Sequence, residues 1–187
     1  MTSFQFADLT RNAKGWACAL LVLAAIFIAP GSVRAEVCHS PFINYLTTPE
    51  KYLYVMALDA DGNDNDFLAV VDVDITSPKY GTIVNRLDLG SKGNETHHMG
   101  FTDDRTRIWA GGLASSRIWI IDVASDPANP RIVKTIENVG ELTGLAGPHT
   151  FYAIPGRMLL TFTSNADRGA PGGLAEFTNE GKFVRTL

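Results

Sequence analysis

An internal repeat of about fifty residues most limits what this chain can fold into. The segment AVVDVDITSPKYGTIVNRL aligns with WIIDVASDPANPRIVKTI, so that Asp72 matches Asp122 at an offset of 50, and a weaker third copy begins at Leu174. Each copy has the pattern of a strand, a turn rich in proline, glycine or aspartate, and a second strand. Several strands that return at this period are typical of β-propeller blades, whereas independent sandwich hairpins do not usually repeat their turn spacing.

Short alternating runs bounded by turn residues predict strands throughout the rest of the chain. After residue 35 we find no convincing apolar period of 3.6 residues, so the prediction is an all-β fold. The predicted strands are Tyr52–Leu58, Phe67–Val73, Thr82–Leu89, Arg107–Gly112, Arg117–Val123, Arg131–Ile136 and Arg157–Thr163.

The first 35 residues have the pattern of a secretory signal peptide. Arg11 and Lys14 precede the apolar run GWACALLVLAAIFIA, and the small residues Val33 and Ala35 suit a cleavage site. Fifteen apolar residues are fewer than the roughly 20 that a membrane span requires. We predict cleavage after Ala35, a periplasmic or secreted domain over residues 36–187, and no stable membrane anchor after cleavage; an uncleaved anchor is the alternative.

Charge and cysteine content argue against certain partners and cross-links of the predicted mature domain. Removal of residues 1–35 takes away one acidic and three basic side chains, which changes the formal net charge from −4 to −6. No basic block remains, which argues against nucleic acid as a partner. Cys38 is the one cysteine left, so no internal disulfide can hold the mature fold.

A second part of the repeat predicts a metal centre. HMGFTDDRTRIWA aligns with HTFYAIPGRMLLTF, which places His98 and His149 in equivalent positions 51 residues apart. Equivalent inner strands of propeller blades converge on a central channel, so His97, His98 and His149 are expected to meet. Imidazole suits copper, zinc, iron and nickel, and three histidines leave a coordination position open. A loop in which the paired histidines have only a hydrogen-bonding role is the alternative.

Segments along the mature chain are similar to those of a known family. DFLAVVDVD, SPKYGTIVNRLDL, ETHHMGF, SSRIWIIDVASDPANPRIVKTIE and GPHTFY occur in that order and resemble the selenium-binding protein family, whose bacterial members include methanethiol oxidases. The resemblance implies a seven-bladed propeller and an exported copper enzyme that converts methanethiol, O2 and water into formaldehyde, hydrogen sulfide and hydrogen peroxide. It also implies that His97, His98 and His149 bind the copper.

The sequence departs from the family pattern in three ways. The cysteine credited with selenium binding in animal members aligns near Met56–Ala57, which leaves Cys38 as a weak candidate for selenium or thiol binding. Tyr152 stands where many members have a further histidine. At about 50 residues per blade, 152 residues supply about three blades, and propellers need four to eight. No counterpart of the family's C-terminal copper-binding histidine is present, so we expect an incomplete, N-terminal propeller portion without full oxidase activity on its own.

Acidic residues supply weaker candidates. Glu95 and Glu141 could orient the histidines as hydrogen-bond acceptors. The loop ALDADGNDNDF offers hard oxygen ligands for calcium, although its glycine does not fit an EF-hand and a solvated hairpin loop is the alternative. Its candidate ligands are Asp59, Asp61, Asp64 and Asp66.

Two classes of function remain open. The first is a copper-dependent thiol oxidase with methanethiol and O2 as small-molecule partners. The second is a non-catalytic exported propeller module that binds metal or selenium or acts as a scaffold. An oligomer is compatible with either. Metal content separates them, because only the oxidase requires redox-active copper at the histidines.

Overall fold

The computed structural model describes residues 40–44, 46–96 and 98–187, within one compact unit that spans Cys38–Leu187. Almost every regular element in this described part is a strand, as the alternating runs predict. The elements are β1 Tyr52–Ala57, β2 Phe67–Asp72, β3 Ile83–Asp88, β4 His98–Phe101, β5 Arg107–Gly112, β6 Arg117–Asp122, β7 Arg131–Ile136, α1 Val139–Thr143, β8 Leu145–Ile154, β9 Arg157–Asn165, β10 Gly173–Thr178 and β11 Phe183–Thr186.

The strands form three antiparallel sheets of consecutive strands, which we call blades 1 to 3. Blade 1 has the order β1-β2-β3, blade 2 the order β4-β5-β6-β7, and blade 3 the order β8-β9-β10-β11. The repeat aligns β2 with β6, so the described strands of blade 1 correspond to the last three strands of blade 2. The predicted strands differ from the observed ones by at most two residues at either end.

Blade 2 is covered on both faces, which explains why its central strands are continuous apolar runs. Alternate side chains of β5 and β6 point to opposite faces, so Ile108 and Trp119 pack against blade 1 while Trp109 and Ile120 pack against blade 3. Both tryptophans are buried, as expected for residues that pack between blades. This face-to-face packing of sheets fixes the blades relative to one another.

The repeat extends to fine backbone geometry. The β2–β3 ladder shifts register between Val70 and Val71, and the β6–β7 ladder shifts between Ile120 and Ile121, at the same offset of 50 residues. A carboxylate then closes the turn in each blade, since the Asp72 carboxylate accepts a hydrogen bond from the Ser77 hydroxyl and the Asp122 carboxylate accepts one from the Ser125 hydroxyl. The repeated sequence therefore encodes a bulge and a capped turn as well as two strands.

The helix α1 is the one helix of the described residues, and the sequence pattern did not predict it. It has five residues, too few to display a helical period, and it ends at Gly144, whose φ of 74° is the left-handed conformation common at helix ends. Val139 is buried in the core between blades 2 and 3. The helix joins blade 2 to blade 3 and so leads the chain into β8.

Candidate metal centre

The imidazole rings of His98 and His149 lie side by side at the boundary of two blades. His98 is the first residue of β4 and His149 lies in the middle of β8, and each strand is the first strand of its sheet. The ring centroids are 4.1 Å apart and the ring planes are inclined by 50°. Two residues separated by 51 positions are thus adjacent in space, as the repeat offset predicts.

Small residues allow the two strands to approach this closely. A Cβ atom at Gly100 would lie 2.8 Å from Cβ of Phe151, and one at Gly111 would lie 2.8 Å from the Phe151 ring and 3.1 Å from Pro148. Gly111 pairs with His98 across the β4–β5 ladder. Side chains at these two positions would therefore hold β8 away from β4 and separate the histidines.

A bulge in β8 sets the direction of His149. Pro148 pairs with Phe162, but Phe151 pairs with Leu160, so the register shifts across His149 and Thr150. Bulges change the direction of side chains and are common beside functional sites. The backbone N–H of Thr150 donates to the hydroxyl of Thr161 at 3.0 Å, which fixes the bulge to the neighbouring strand.

Thr150 also contacts the His149 ring directly. Nδ1 of His149 and Oγ1 of Thr150 are 3.1 Å apart. In the tautomer with the proton on Nδ1, the ring donates to the threonine hydroxyl and presents Nε2 as the lone-pair donor. Thr150 is a site residue that the sequence analysis missed, because a hydroxyl one position after a histidine has no distinctive pattern.

The loop that leads into β4 is tied to the β5–β6 turn of blade 2. Asn94 and Thr96 are buried, and the carbonyl groups of Asn94 and Glu95 accept hydrogen bonds from the backbone of Ala114 and Leu113 at 3.0 and 3.3 Å. Glu95 has a φ of 56°, a left-handed conformation that is costly for a residue with a side chain. His97, the third predicted ligand, lies outside the described residues. The described part of the candidate centre is therefore a histidine pair within a constrained loop and strand.

The two glutamates proposed to orient the histidines have other surroundings. The Glu95 side chain is exposed on the constrained loop. Glu141 is exposed in the first turn of α1, where its carboxylate accepts a long hydrogen bond from Nδ2 of Asn138 at 3.4 Å. Their assignment as acceptors for histidine stays a prediction.

The acidic loop is arranged as turns. Asp59 accepts the backbone N–H of Asp64 at 2.8 Å, Asp61 accepts that of Asn63 at 3.1 Å, and this contact lowers the pKa of Asp61. Asp66 is buried and accepts hydrogen bonds from the backbone N–H of Asp59 and from Asn94. Among the described residues, no three Asp, Glu, His or Cys side chains are grouped closely enough to hold a metal ion. The calcium assignment of the four aspartates stays a prediction.

Comparison with known proteins agrees with this architecture. The model of the SBP56 family, the 56kDa selenium binding proteins, matches residues 37–185. The chain belongs to this family. Two SBP56-like relatives, each called methanethiol oxidase, come from Hyphomicrobium, with 45% identity over 90% of this chain, and from Ruegeria pomeroyi, with 41% identity over 81%. The chain spans only 39% and 35% of the lengths of these two relatives.

Solved structures confirm the fold. The X-ray structure of a hypothetical selenium-binding protein from Sulfolobus tokodaii superposes with a TM-score of 0.70 and 30% identity, over 74% of this chain and 34% of that one. A europium-containing methanol dehydrogenase superposes with a TM-score of 0.51 at 11% identity, over 75% of this chain and 23% of that one, which is a similarity of fold alone. The all-β propeller class predicted from the repeat is confirmed, with three blades in the described residues; a seven-bladed ring stays a prediction.

A cavity and two features predicted from the sequence of this SBP56 family member do not include the histidine pair. A cavity of about 280 Å³ is lined by side chains of blades 1 and 2, among them Tyr54, Phe101 and Arg105. Cys38 and the predicted signal peptide lie outside the described residues. None of the helices in the described part has the length and apolar character needed to span a membrane.

Proposed function

We propose that this chain supplies histidine ligands to a copper centre that oxidises methanethiol. The observation that carries the proposal is the approach of His98 and His149 to 4.1 Å between ring centroids, from equivalent strands of consecutive blades. Relatives at 45% and 41% identity called methanethiol oxidase support the choice of substrate. In this function methanethiol, O2 and water give formaldehyde, hydrogen sulfide and hydrogen peroxide.

The residues present fit a copper ion. Neutral imidazole is a good ligand for copper, and two rings at this separation can direct one nitrogen each toward a shared ion. His98 is exposed and His149 is half-buried, so a small thiol can reach the pair from solvent. Copper, when bound, would supply the electron transfer between the thiol sulfur and O2.

The protein's own contribution is to hold the ligands in place before the metal arrives. Thr150 contacts Nδ1 and so orients the His149 ring; when Nδ1 carries the proton and donates to this hydroxyl, Nε2 is the ligand atom. Gly100 and Gly111 allow β4 and β8 to approach, and the β8 bulge directs His149 toward His98. Such preorganisation raises metal affinity because less order has to be imposed on binding.

We further propose that the protein acts outside the cytoplasm. The support is the basic, apolar and small-residue pattern of residues 1–35, which predicts cleavage after Ala35. Export would place a reaction that produces peroxide and sulfide away from cytoplasmic thiols and metals. N-terminal sequencing of the protein recovered from a periplasmic extract tests this, with Glu36 expected as the first residue and Met1 as the contradicting result.

Oxygen uptake tests the proposed reaction. The purified chain, loaded with one equivalent of Cu(II), is mixed with methanethiol in an oxygen electrode, and sulfide and peroxide are quantified in the same sample. We expect uptake that requires copper, is slower than that of a full-length relative, and is lost in the His98→Ala/His149→Ala variant. His39→Ala, which removes the histidine that is not a candidate ligand, should leave uptake unchanged. No uptake by a folded, copper-loaded chain, or equal uptake by the double variant, would contradict the proposal.

A further inference from the structure

Asp66 is a buried carboxylate whose contacts reach the loop that carries the histidine pair. It immediately precedes β2 in blade 1 and is only 1% exposed. Its Oδ2 accepts two hydrogen bonds from Asn94, from the backbone N–H at 2.9 Å and from Nδ2 at 2.8 Å. Its Oδ1 accepts the backbone N–H of Asp59 at 3.1 Å. Both oxygens of Asp66 therefore act as acceptors, and the stronger set is directed at a residue four positions before His98.

Asn94 connects Asp66 to the segment that leads into β4. The residue is fully buried, and its side chain also contacts Ser91, with Nδ2 donating to the Ser91 carbonyl at 3.0 Å. Its own carbonyl accepts the N–H of Ala114 in the β5–β6 turn at 3.0 Å. The loop is thus held between blade 1, through Asp66, and blade 2, through Ala114. Residues 94–96 cannot shift without breaking bonds to one of the two blades.

We propose that Asp66 is a positioning residue for the copper ligands, which it orders through Asn94. This inference rests on the proposed function and adds a role to a residue that the sequence analysis assigned to a calcium loop. Asp66 does not touch the metal or the substrate. It fixes the chain that enters β4, so that His98 is presented to His149 before copper binds.

The substitution Asp66→Asn tests this because the carboxylate has no spare oxygen. An amide replaces one acceptor oxygen by an NH2 group, which would face either the N–H of Asp59 or the two donors of Asn94. Donor would then oppose donor at a buried position, and the bonds to Asn94 or to Asp59 would be lost. The change in shape is minimal, so the effect reports on the hydrogen bonds.

Asp72→Asn is the matched control. Asp72 is also buried, lies at the opposite end of β2 in the same blade, and binds the β2–β3 turn through the Asp74 N–H and the Ser77 hydroxyl. A purely structural role for Asp66 predicts that both variants lose stability and keep the copper affinity of the wild type. A positioning role predicts a loss of copper affinity in Asp66→Asn alone.

Two readouts on the full chain separate this inference from the proposed function. The first is the nuclear Overhauser effect between ring protons of His98 and His149 in the metal-free protein, which reports the placement of the rings without copper. The second is the dissociation constant for Cu(II). We expect Asp66→Asn to weaken the ring-to-ring effect and to raise the dissociation constant on the order of 10-fold, while Asp72→Asn leaves both unchanged.

The outcomes are distinct. If the wild-type chain binds no copper, the proposed function fails, and the ring-to-ring effect still decides whether Asp66 positions the histidines. If Asp66→Asn keeps the ring contact and the copper affinity of the wild type, the inference is overturned. Should Asp66→Asn not fold, Asn94→Ala replaces it, because it removes the Nδ2 bond and keeps the backbone N–H to Asp66. Wild-type values in a folded Asn94→Ala would likewise overturn the inference.

Discussion

The packing of β4 against β8 predicts that one added methyl group will disturb both stability and the histidine pair. In Gly100→Ala the new Cβ would lie 2.8 Å from Cβ of Phe151, and ordinary contacts begin at 3.4 Å. Because Cβ of Phe151 is bonded directly to the backbone, no side-chain rotation can move it away. The two strands must separate by about 0.6 Å or distort by an equivalent amount.

The expected loss of stability in Gly100→Ala follows from the usual effect of overpacking a protein core. Forcing an extra methyl group into a packed core costs about 1–3 kcal/mol. For a domain of this size each kcal/mol lowers Tm by about 2–4 °C, so thermal unfolding of Gly100→Ala should shift down by about 2–12 °C. His98 is two residues before Gly100 and His149 is two residues before Phe151, so the same separation should raise the dissociation constant for Cu(II).

Gly140→Ala provides the matched control for this prediction. The nearest atom to a Cβ at Gly140 is 3.7 Å away, an ordinary contact, and the residue lies in α1, where alanine is favoured over glycine by up to about 1 kcal/mol. Its Tm should equal or exceed that of the wild type, and its copper affinity should be unchanged. A Gly100→Ala variant with the wild-type Tm and copper affinity would refute the argument from close approach.

Two further predictions concern the blades themselves. Nε1 of Trp119 donates to the Leu89 carbonyl at 3.2 Å, whereas Nε1 of the equally buried Trp109 has no hydrogen-bond partner among the described residues. Trp119→Phe should therefore lose about 1 kcal/mol more unfolding free energy, measured in urea, than Trp109→Phe. An equal loss in the two variants would argue against the hydrogen bond. The hydroxyl of Ser125 holds the pKa of Asp122 well below its usual range, so the stabilisation is complete above about pH 4 and is lost as the pH falls further. Asp122→Asn should flatten the loss of unfolding free energy as the pH falls from about 4 to about 2, and an acid sensitivity equal to that of the wild type would contradict this.

Much of this fold could be predicted from the sequence because of the repeat. The offset of 51 residues between His98 and His149 predicted equivalent positions in consecutive blades, and the rings are indeed adjacent. This worked because blades of one propeller pack in the same way, so equivalence in sequence becomes proximity at the inner strands. The strands Arg107–Gly112 and Arg131–Ile136 were predicted with their observed bounds for a related reason, since turn residues mark both ends clearly.

The residues that support the site could not be predicted from the repeat. Asp66 lies among five other polar residues in a loop, and that local pattern suggested calcium, while Asn94, which donates two hydrogen bonds to it, is 28 residues away. A hydrogen bond between two loops leaves no period in the sequence. The five-residue helix α1 was missed because it is shorter than two helical turns.

The copper content of the purified chain tests the central claim most directly. After incubation with Cu(II) and removal of loosely bound ions, elemental analysis of the wild type should give about one copper per chain, and the His98→Ala/His149→Ala variant should give none while its circular dichroism spectrum remains that of the wild type. Copper retained by the double variant, or absent from a folded wild-type chain, would contradict the assignment of a copper centre to these histidines.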